Sequence, residues 1–218
     1  MKYVSALVAA AALTASAQAA VVGVGNSTAP WLGYMNVFDF GGNFQFGSGW
    51  GVGDLRTQFD DGASTLTLLP NSIGDPNPYW YTPFGGPGST GNKIMEANLY
   101  QEVLGGGLGG QTVTFNGTVL SNSFTSAHTV TAFIRDFAGD FSSVVESSVV
   151  LSGPGAFSLS LNTINDSSRV VQWGLQVKGV NVWISDIAPF GNMVIATPTP
   201  GALGVLGLAG IVAGRRRR

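Results

Sequence analysis

Residues 171–178 read Val-Gln-Trp-Gly-Leu-Gln-Val-Lys and place an apolar residue at every second position. Successive side chains of a β-strand point to opposite faces of the sheet, so an apolar residue at every second position predicts a strand with one buried face. The side chains expected on the buried face are Val171, Trp173, Leu175 and Val177.

The same alternation recurs in five other segments of the chain. Their apolar positions are Leu66 and Leu68; Val113, Phe115 and Val119; Val130, Ala132 and Ile134; Phe157, Leu159 and Leu161; and Val180, Val182 and Ile184. Short Gly-rich turns, such as residues 152–155, separate several segments, whereas residues 93–104 fit a helix or a strand equally well. Many short strands of this kind predict an all-β domain, a single antiparallel β-sandwich of jelly-roll-like form.

The N-terminus has the parts of a secretory signal peptide. Lys2 gives a basic start, residues 4–14 form an apolar run rich in alanine, and Ala17-Gln18-Ala19 is a small-x-small cleavage site. We expect a signal helix within residues 1–19, cleavage after Ala19, and a domain formed by residues 20–196. A domain of that length can bury a substantial core.

Residues 197–218 contain three blocks in a fixed order. The blocks are the extended motif Pro198-Thr199-Pro200, an apolar run at residues 202–213 and the basic cluster Arg215, Arg216, Arg217 and Arg218. As a helix the apolar run spans about 18 Å at about 1.5 Å per residue, which is short against a bilayer core of about 30 Å. This predicts a short hydrophobic helix and a transient membrane association, with the arginines on the cytoplasmic side.

This tail resembles the PEP-CTERM sorting signal of bacterial exosortase substrates. The two prolines, the small residues after them, the Leu/Gly/Ala-rich run and the arginine cluster match the family, while Thr199 stands where the family has Glu. The resemblance implies an exosortase-type processing enzyme as partner, Pro198-Thr199-Pro200 as the sorting motif and Arg215–Arg218 as the topological stop. It also implies a Gram-negative-type bacterium, a precursor held in the inner membrane, and a product at the cell surface or in the extracellular matrix.

A second resemblance covers residues 98–117. Asn-Leu-Tyr-Gln-Glu-Val at 98–103, a Gly-rich turn, and Gln-Thr-Val-Thr-Phe-Asn-Gly at 111–117 are similar to the middle of galactose-binding-like or carbohydrate-binding-module jelly rolls. Gly110, Thr112, Thr114 and Phe115 follow that pattern, and Val113 replaces an aromatic residue. The resemblance implies a jelly-roll fold and says little about a ligand.

Charge and cysteine content exclude two classes of function. Residues 20–196 hold five basic and all twelve acidic residues, which gives a net charge of −7. Nucleic-acid binding depends mainly on cationic contacts, so nucleic acid is not expected as a partner. The chain has no cysteine, which excludes disulfides and thiol chemistry.

Three consecutive aromatic residues, Tyr79, Trp80 and Tyr81, lie in a segment rich in proline and glycine. Such a segment can form a flat ligand platform, because aromatic rings pack on the C–H faces of sugars and Tyr and Trp also offer polar groups. The alternative is a plug that covers one end of the sandwich. Trp183 is a lesser candidate for an exposed ring.

The densest acidic clusters are Asp60-Asp61 and the pair Asp136 and Asp140. Both are typical of turns, because Asp hydrogen-bonds nearby backbone. No cofactor is expected, with calcium as the alternative at these clusters. His128, the only histidine, is expected in a turn or on the surface.

These features predict a secreted, exosortase-sorted surface or extracellular-matrix protein without catalytic activity. Its expected role is structural or adhesive, with exopolysaccharide as the favoured partner. The alternative is a secreted carbohydrate-active hydrolase that uses two carboxylates of the domain.

Overall fold

The computed structural model describes residues 19–197, which form sixteen β-strands and two 3₁₀ helices. The strands are β1 Ala19–Gly23, β2 Leu32–Phe38, β3 Phe44–Gly49, β4 Thr57–Asp60, β5 Thr65–Leu68, β6 Ser72–Ile73, β7 Tyr81–Thr82, β8 Thr90–Gly91, β9 Ile94–Val103, β10 Thr112–Asn122, β11 His128–Phe137, β12 Val144–Val150, β13 Gly155–Asn162, β14 Val170–Val180, β15 Val182–Trp183 and β16 Met193–Ala196. The 3₁₀ helices are Val52–Leu55 and Ala188–Phe190. The predicted all-β sandwich is confirmed, while the two predicted terminal helices lie outside the described residues.

Two six-stranded sheets make up the sandwich. Sheet A joins β1, β10, β16, β5 and β4, with β13 on the other edge of β10, and sheet B has the order β12-β11-β14-β9-β2-β3. Pairing within these two sheets is antiparallel except between β1 and β10. Two further ribbons, β6–β15 and β7–β8, complete the described strands.

The core lies between the sheets and is built from alternate residues of the long strands. The four apolar residues of residues 171–178 are all buried in it, as are Val113 and Phe115 from sheet A. Ala132 and Leu175 have no exposed surface. The face assignments that alternation predicts for β10, β11 and β14 are therefore confirmed.

Two segments clarify or correct the sequence interpretation. Residues 93–104, which fitted a helix or a strand, contain the ten-residue strand β9. The predicted strand through Val180, Val182 and Ile184 is wrong in its second half, because β14 ends at Val180, β15 holds two residues, and Ile184 is exposed.

A buried ion pair ties β11 to the loop before β14. Arg169 donates from Nε to Asp136 Oδ1 at 2.7 Å and from an η nitrogen to the Asp136 carbonyl at 2.6 Å. The second oxygen of Asp136 accepts from the backbone N–H of Ile164 at 2.8 Å. Asp136 is fully buried, so this pair fixes the loop that carries residues 163–169.

Between residues 19 and 197, no helix combines the length and the apolar character that a membrane crossing requires.

Candidate functional site

A groove of about 560 Å³ lies on the face of sheet B that points away from sheet A. We call it the outer groove. Its lining comes from four adjacent strands and the turn after β11: Tyr34, Asn36, Asn98, Tyr100, Glu102, Arg135, Phe137, Phe141 and Gln172. The volume lies within the range of about 300–1,000 Å³ typical of small-molecule sites.

Strand alternation and register bring these side chains to one face. Core residues of β9 such as Ala97 and Leu99 point inward, so Asn98, Tyr100 and Glu102 point outward. The register places Glu102 opposite Gln172, and Gln172 opposite Arg135. The groove is therefore assembled across strands that are distant in sequence.

Aromatic rings give the groove its apolar surface. Tyr34 is 39% exposed and Phe141 is 58% exposed, while Tyr100 and Phe137 are half-buried. The rings of Phe137 and Phe141 lie 5.4 Å apart. Each ring presents a flat face that can pack against an apolar part of a ligand.

The edge of the groove on β3 depends on a glycine. A side chain at Gly47 would approach Asn36 Oδ1 to 2.8 Å and the Tyr34 hydroxyl to 2.9 Å. Because Gly47 has no side chain, Tyr34 and Asn36 can lie over β3 beside the groove.

A hydrogen-bond network centred on Asn98 fixes the polar groups at the base of the groove. Asn98 Oδ1 accepts from Arg135 Nη1 at 2.8 Å and from Gln176 Nε2 at 3.0 Å. Its Nδ2 donates to the carbonyls of Tyr34 and Glu96. Asn98 is buried, so its orientation is set before any ligand arrives.

Arg135 is held on three sides. Its Nε pairs with Glu146 Oε2 at 2.6 Å, and its guanidinium lies 3.9 Å from the centre of the Phe133 ring. Phe133 has no exposed surface although it lies on the outer face of β11. The guanidinium therefore covers a buried ring and forms part of the lining of the groove.

Glu102 and Tyr100 add further polar groups on β9. Gln172 Nε2 donates to Glu102 Oε2 at 2.9 Å. Burial raises the pKa of the Tyr100 hydroxyl, and the nearby Glu102 charge and Tyr34 raise it further. Tyr100 thus keeps its proton and can both donate and accept a hydrogen bond.

The predicted aromatic platform is mostly buried. Tyr81 is 1% exposed and donates from its hydroxyl to the carbonyls of Ile73 and Val182. Trp80 is also buried, with its carbonyl bound by Asn181, and Tyr79 alone stays accessible, with Lys93 Nζ 4.3 Å from its ring centre. The three rings share no exposed face, so ligand binding by this segment stays a prediction that now depends on Tyr79. Trp183 is half-buried and packs edge-on against Tyr81.

The acidic clusters have partners within the protein. Asp61 accepts from the backbone and hydroxyl of Ser27, Asp60 caps the N–H of Ala63, and Asp140 accepts from Ser142. Asp136 lies in β11 rather than in the predicted turn, because it is in register with Val145 of β12 and Val171 of β14, and its carboxylate pairs with Arg169. No group of three or more His, Asp or Glu side chains suited to a metal occurs within residues 19–197. Calcium binding stays untested.

His128 is buried, which corrects its predicted surface position. Its ring stacks on Phe124 at 5.6 Å and meets Phe190 edge-on at 5.7 Å. Burial lowers its pKa to about 4, and the nearby backbone of Val180 opposes this only in part. Such a histidine is neutral and serves packing rather than catalysis.

The predicted sorting residues Pro198, Thr199, Pro200 and Arg215–Arg218 lie outside the described residues, as does Ala17 of the cleavage site. Ala19 is the first residue of β1 and pairs with Thr112. Signal cleavage and sorting stay predictions.

No family model matches the chain, and no curated protein matches its sequence. Among solved structures, the carbohydrate-binding module TmCBM61, in complex with β-1,4-galactotriose, is similar at 12% identity and a TM-score of 0.34 over 79% of this chain and 87% of that one. The CBM22-2 xylan-binding domain of Xyn10C from Paenibacillus barcinonensis is similar at 10% identity and a TM-score of 0.30, over 67% of this chain and 89% of that one. At these scores the similarity says nothing of what this chain binds.

Proposed function

We propose that the protein binds an uncharged polysaccharide in the outer groove and serves a structural or adhesive role outside the cell. The observation that carries the proposal is the arrangement of four aromatic rings around a preformed amide, guanidinium and carboxylate network on one sheet face. Sugars require both features, because they combine C–H faces with hydroxyl groups that donate and accept hydrogen bonds.

The network lowers the cost of binding. Asn98, Arg135 and Gln172 are already held by other protein groups, so a ligand need not order them. Immobilising side chains on binding costs free energy and weakens affinity. Because these three side chains are already immobilised, even an open groove can bind a sugar with measurable affinity.

The charges of the groove favour a neutral ligand. Its lining contains one cation, Arg135, and one anion, Glu102, and Arg135 is further balanced by Glu146. The domain as a whole carries −7, which disfavours polyanions.

The groove supports binding rather than hydrolysis. Glycoside hydrolases use two carboxyl groups on opposite sides of the scissile bond. Glu102 is the single carboxylate among the residues that line the groove, and it is engaged by Gln172. We therefore favour a binding role over the hydrolase alternative.

The proposed location rests on the two ends of the sequence. The N-terminal signal pattern supports secretion, and the PEP-CTERM-like tail supports processing by an exosortase-type enzyme after a transient stay in the inner membrane. The resulting product would act at the cell surface or in the extracellular matrix, where polysaccharides are accessible.

The test compares two tyrosines with nearly equal exposure. Tyr34, in the groove, is 39% exposed, and Tyr79, in the aromatic segment, is 37% exposed. We expect Tyr34→Ala to weaken retention in affinity electrophoresis through gels that contain neutral galactans, xylans or glucans by about tenfold or more, which corresponds to about 1.4 kcal/mol.

Tyr79→Ala is the matched control and should leave retention unchanged. The melting temperature of both variants is measured alongside, because each side chain is more than half buried and its truncation also removes packing, for Tyr79 the ring contact with Trp80. If only Tyr79→Ala lost retention, the polysaccharide site would lie at the aromatic segment and not in the outer groove. Absence of retention across the whole polysaccharide panel would contradict the proposal.

A further inference from the structure

Strand β12 forms one edge of sheet B and is unusually apolar for an edge. It pairs with β11 on one side, and no strand within residues 19–197 pairs with its other side. Four of its seven side chains are exposed valines: Val144 (47%), Val145 (40%), Val149 (37%) and Val150 (58%).

This edge lacks the features that normally prevent strand pairing. Exposed edges usually carry proline, lysine, a bulge or an inward-pointing charge. β12 contains neither proline nor lysine, and it has no bulge, because its register with β11 is unbroken from Val144 to Val150. Its one charged residue, Glu146, is neutralised by Arg135 of the adjacent strand.

The sequence of β12 is complementary to itself in the antiparallel direction. Residues 144–150 read Val-Val-Glu-Ser-Ser-Val-Val, which is nearly symmetric about Ser147. An antiparallel pair centred on Ser147 places Val144 opposite Val150 and Val145 opposite Val149. Glu146 then faces Ser148, whereas a pair centred on Glu146 would place two like charges opposite each other, which is destabilising.

We propose that two copies of this chain associate edge to edge through β12, in antiparallel pairing centred on Ser147. The pairing joins the two six-stranded B sheets into one sheet of twelve strands and satisfies the free backbone groups of both edges. We call this pair of β12 strands the seam. Valine pairs lie on both faces of the sheet at the seam, since even-numbered residues of β12 lie on one face and odd-numbered residues on the other.

The geometry brings two outer grooves to the same side of the joined sheet. Residues directly opposite each other in a sheet share a face, so the outer faces of the two copies are continuous. About six strand spacings of about 4.8 Å separate the groove centres, which is about 30 Å. This last consequence, two binding sites on one surface, rests on the proposed function, whereas the dimer itself does not.

The seam involves one short strand from each copy, so the dimer should be weak. Interfaces well below about 1,000 Å² are typically transient, and we expect a dissociation constant between about 1 μM and 1 mM. Sedimentation velocity of the full-length protein, without sugar, should show a concentration-dependent shift from the 22.5 kDa monomer to the dimer.

A charge pair in the seam tests the register. Val144→Lys combined with Val150→Lys places lysines opposite each other across the two-fold axis and should abolish the dimer. Val144→Lys combined with Val150→Glu places Lys opposite Glu in both halves of the seam and should restore it, and the β11 neighbours of these positions, Phe137 and Thr131, carry no charge. Within one copy the two positions are six residues apart on a strand, about 20 Å, so they do not pair with each other.

Val21→Lys, at an exposed valine of β1, is the control and should leave association unchanged. Melting temperatures close to the parent value would show that all variants fold. A protein that stays monomeric up to about 1 mM, as it would if another segment of the same chain covered β12, would overturn the proposal. So would a dimer that survives the double lysine variant, or one that the Glu–Lys pair fails to restore.

Discussion

At the scale of single residues, His128 couples the stability of the fold to pH. The unfolded chain binds a proton at this histidine near its ordinary pKa of 6.5, whereas the folded protein does so only near pH 4. Because the unfolded state binds more protons between these values, stability is complete above about pH 6.5 and is lost as the pH falls toward 4. The expected slope inside this window approaches about 1.4 kcal/mol per pH unit.

Urea unfolding at pH 7, 6 and 5 measures this effect. His128→Phe keeps an aromatic ring between Phe124 and Phe190 but removes the titrating group, so its stability should change much less over the same range. Equal pH dependence in both proteins would show that other groups cause the loss.

Single core residues of a long strand can be predicted from the sequence. Alternation with polar or small neighbours predicts that Trp173 and Leu175 face the core, and both are buried. His128 and Trp80 could not be placed in this way, since each is covered by a residue from a distant segment. For His128 this residue is Phe190, and for Trp80 it is Phe46.

At the scale of elements, β11 carries two ion pairs of very different burial. Asp136–Arg169 is almost completely buried, whereas Arg135–Glu146 is partly exposed. Asp136→Asn would leave the Arg169 charge buried without its counter-charge, and we expect a loss of about 3–5 kcal/mol in the free energy of unfolding. Glu146→Gln should cost less than about 1 kcal/mol, because exposed pairs contribute little.

Chemical denaturation of the two variants at pH 7 gives the comparison. The two residues lie on adjacent strands of one sheet. The difference between their losses in unfolding free energy therefore reports the burial of each ion pair and not its place in the sheet. A loss below about 1 kcal/mol for Asp136→Asn would mean that the loop of residues 163–169 relaxes and hydrates the arginine.

Long strands with one buried face were predictable, and short ones were not. β10, β11 and β14 each have several alternating positions, which determine both the strand and its face. Four strands, β6, β7, β8 and β15, have two residues each, which is too few to show a period. They are held by side chains such as Asn71, Tyr81 and Asn181, which donate hydrogen bonds to backbone carbonyls of other segments.

At the scale of the whole molecule, the two ends of the sequence predict how the protein matures. Intact-mass analysis of protein recovered from the native cell surface should show the loss of residues 1–19 and of the segment beyond Pro198-Thr199-Pro200. Replacing Arg215–Arg218 with serine should leave the protein misplaced, because cations at the end of a span fix its orientation. A surface form that still carries the four arginines would contradict removal of the tail.

The outer groove could not have been predicted from this one sequence. Asn98 bonds Arg135 across 37 positions and Gln176 across 78. Strand alternation indicates which residues point outward, but only the order and register of β11, β14, β9 and β2 decide which of them meet. The rings of the aromatic segment are adjacent in sequence and therefore visible in it, whereas the rings of the groove are adjacent only in space.

Arg135 belongs both to the groove and to the edge of sheet B. It donates to Asn98 at the base of the groove and pairs with Glu146 on β12. If the proposed sugar accepts a hydrogen bond from the guanidinium, it shares that charge with Glu146 and so changes the ion pair beside the seam. Thermodynamic reciprocity then requires that association of two copies change sugar affinity by the same factor by which sugar changes association. Under the two proposals, one arginine therefore links occupation of the groove to association at the edge of the sheet.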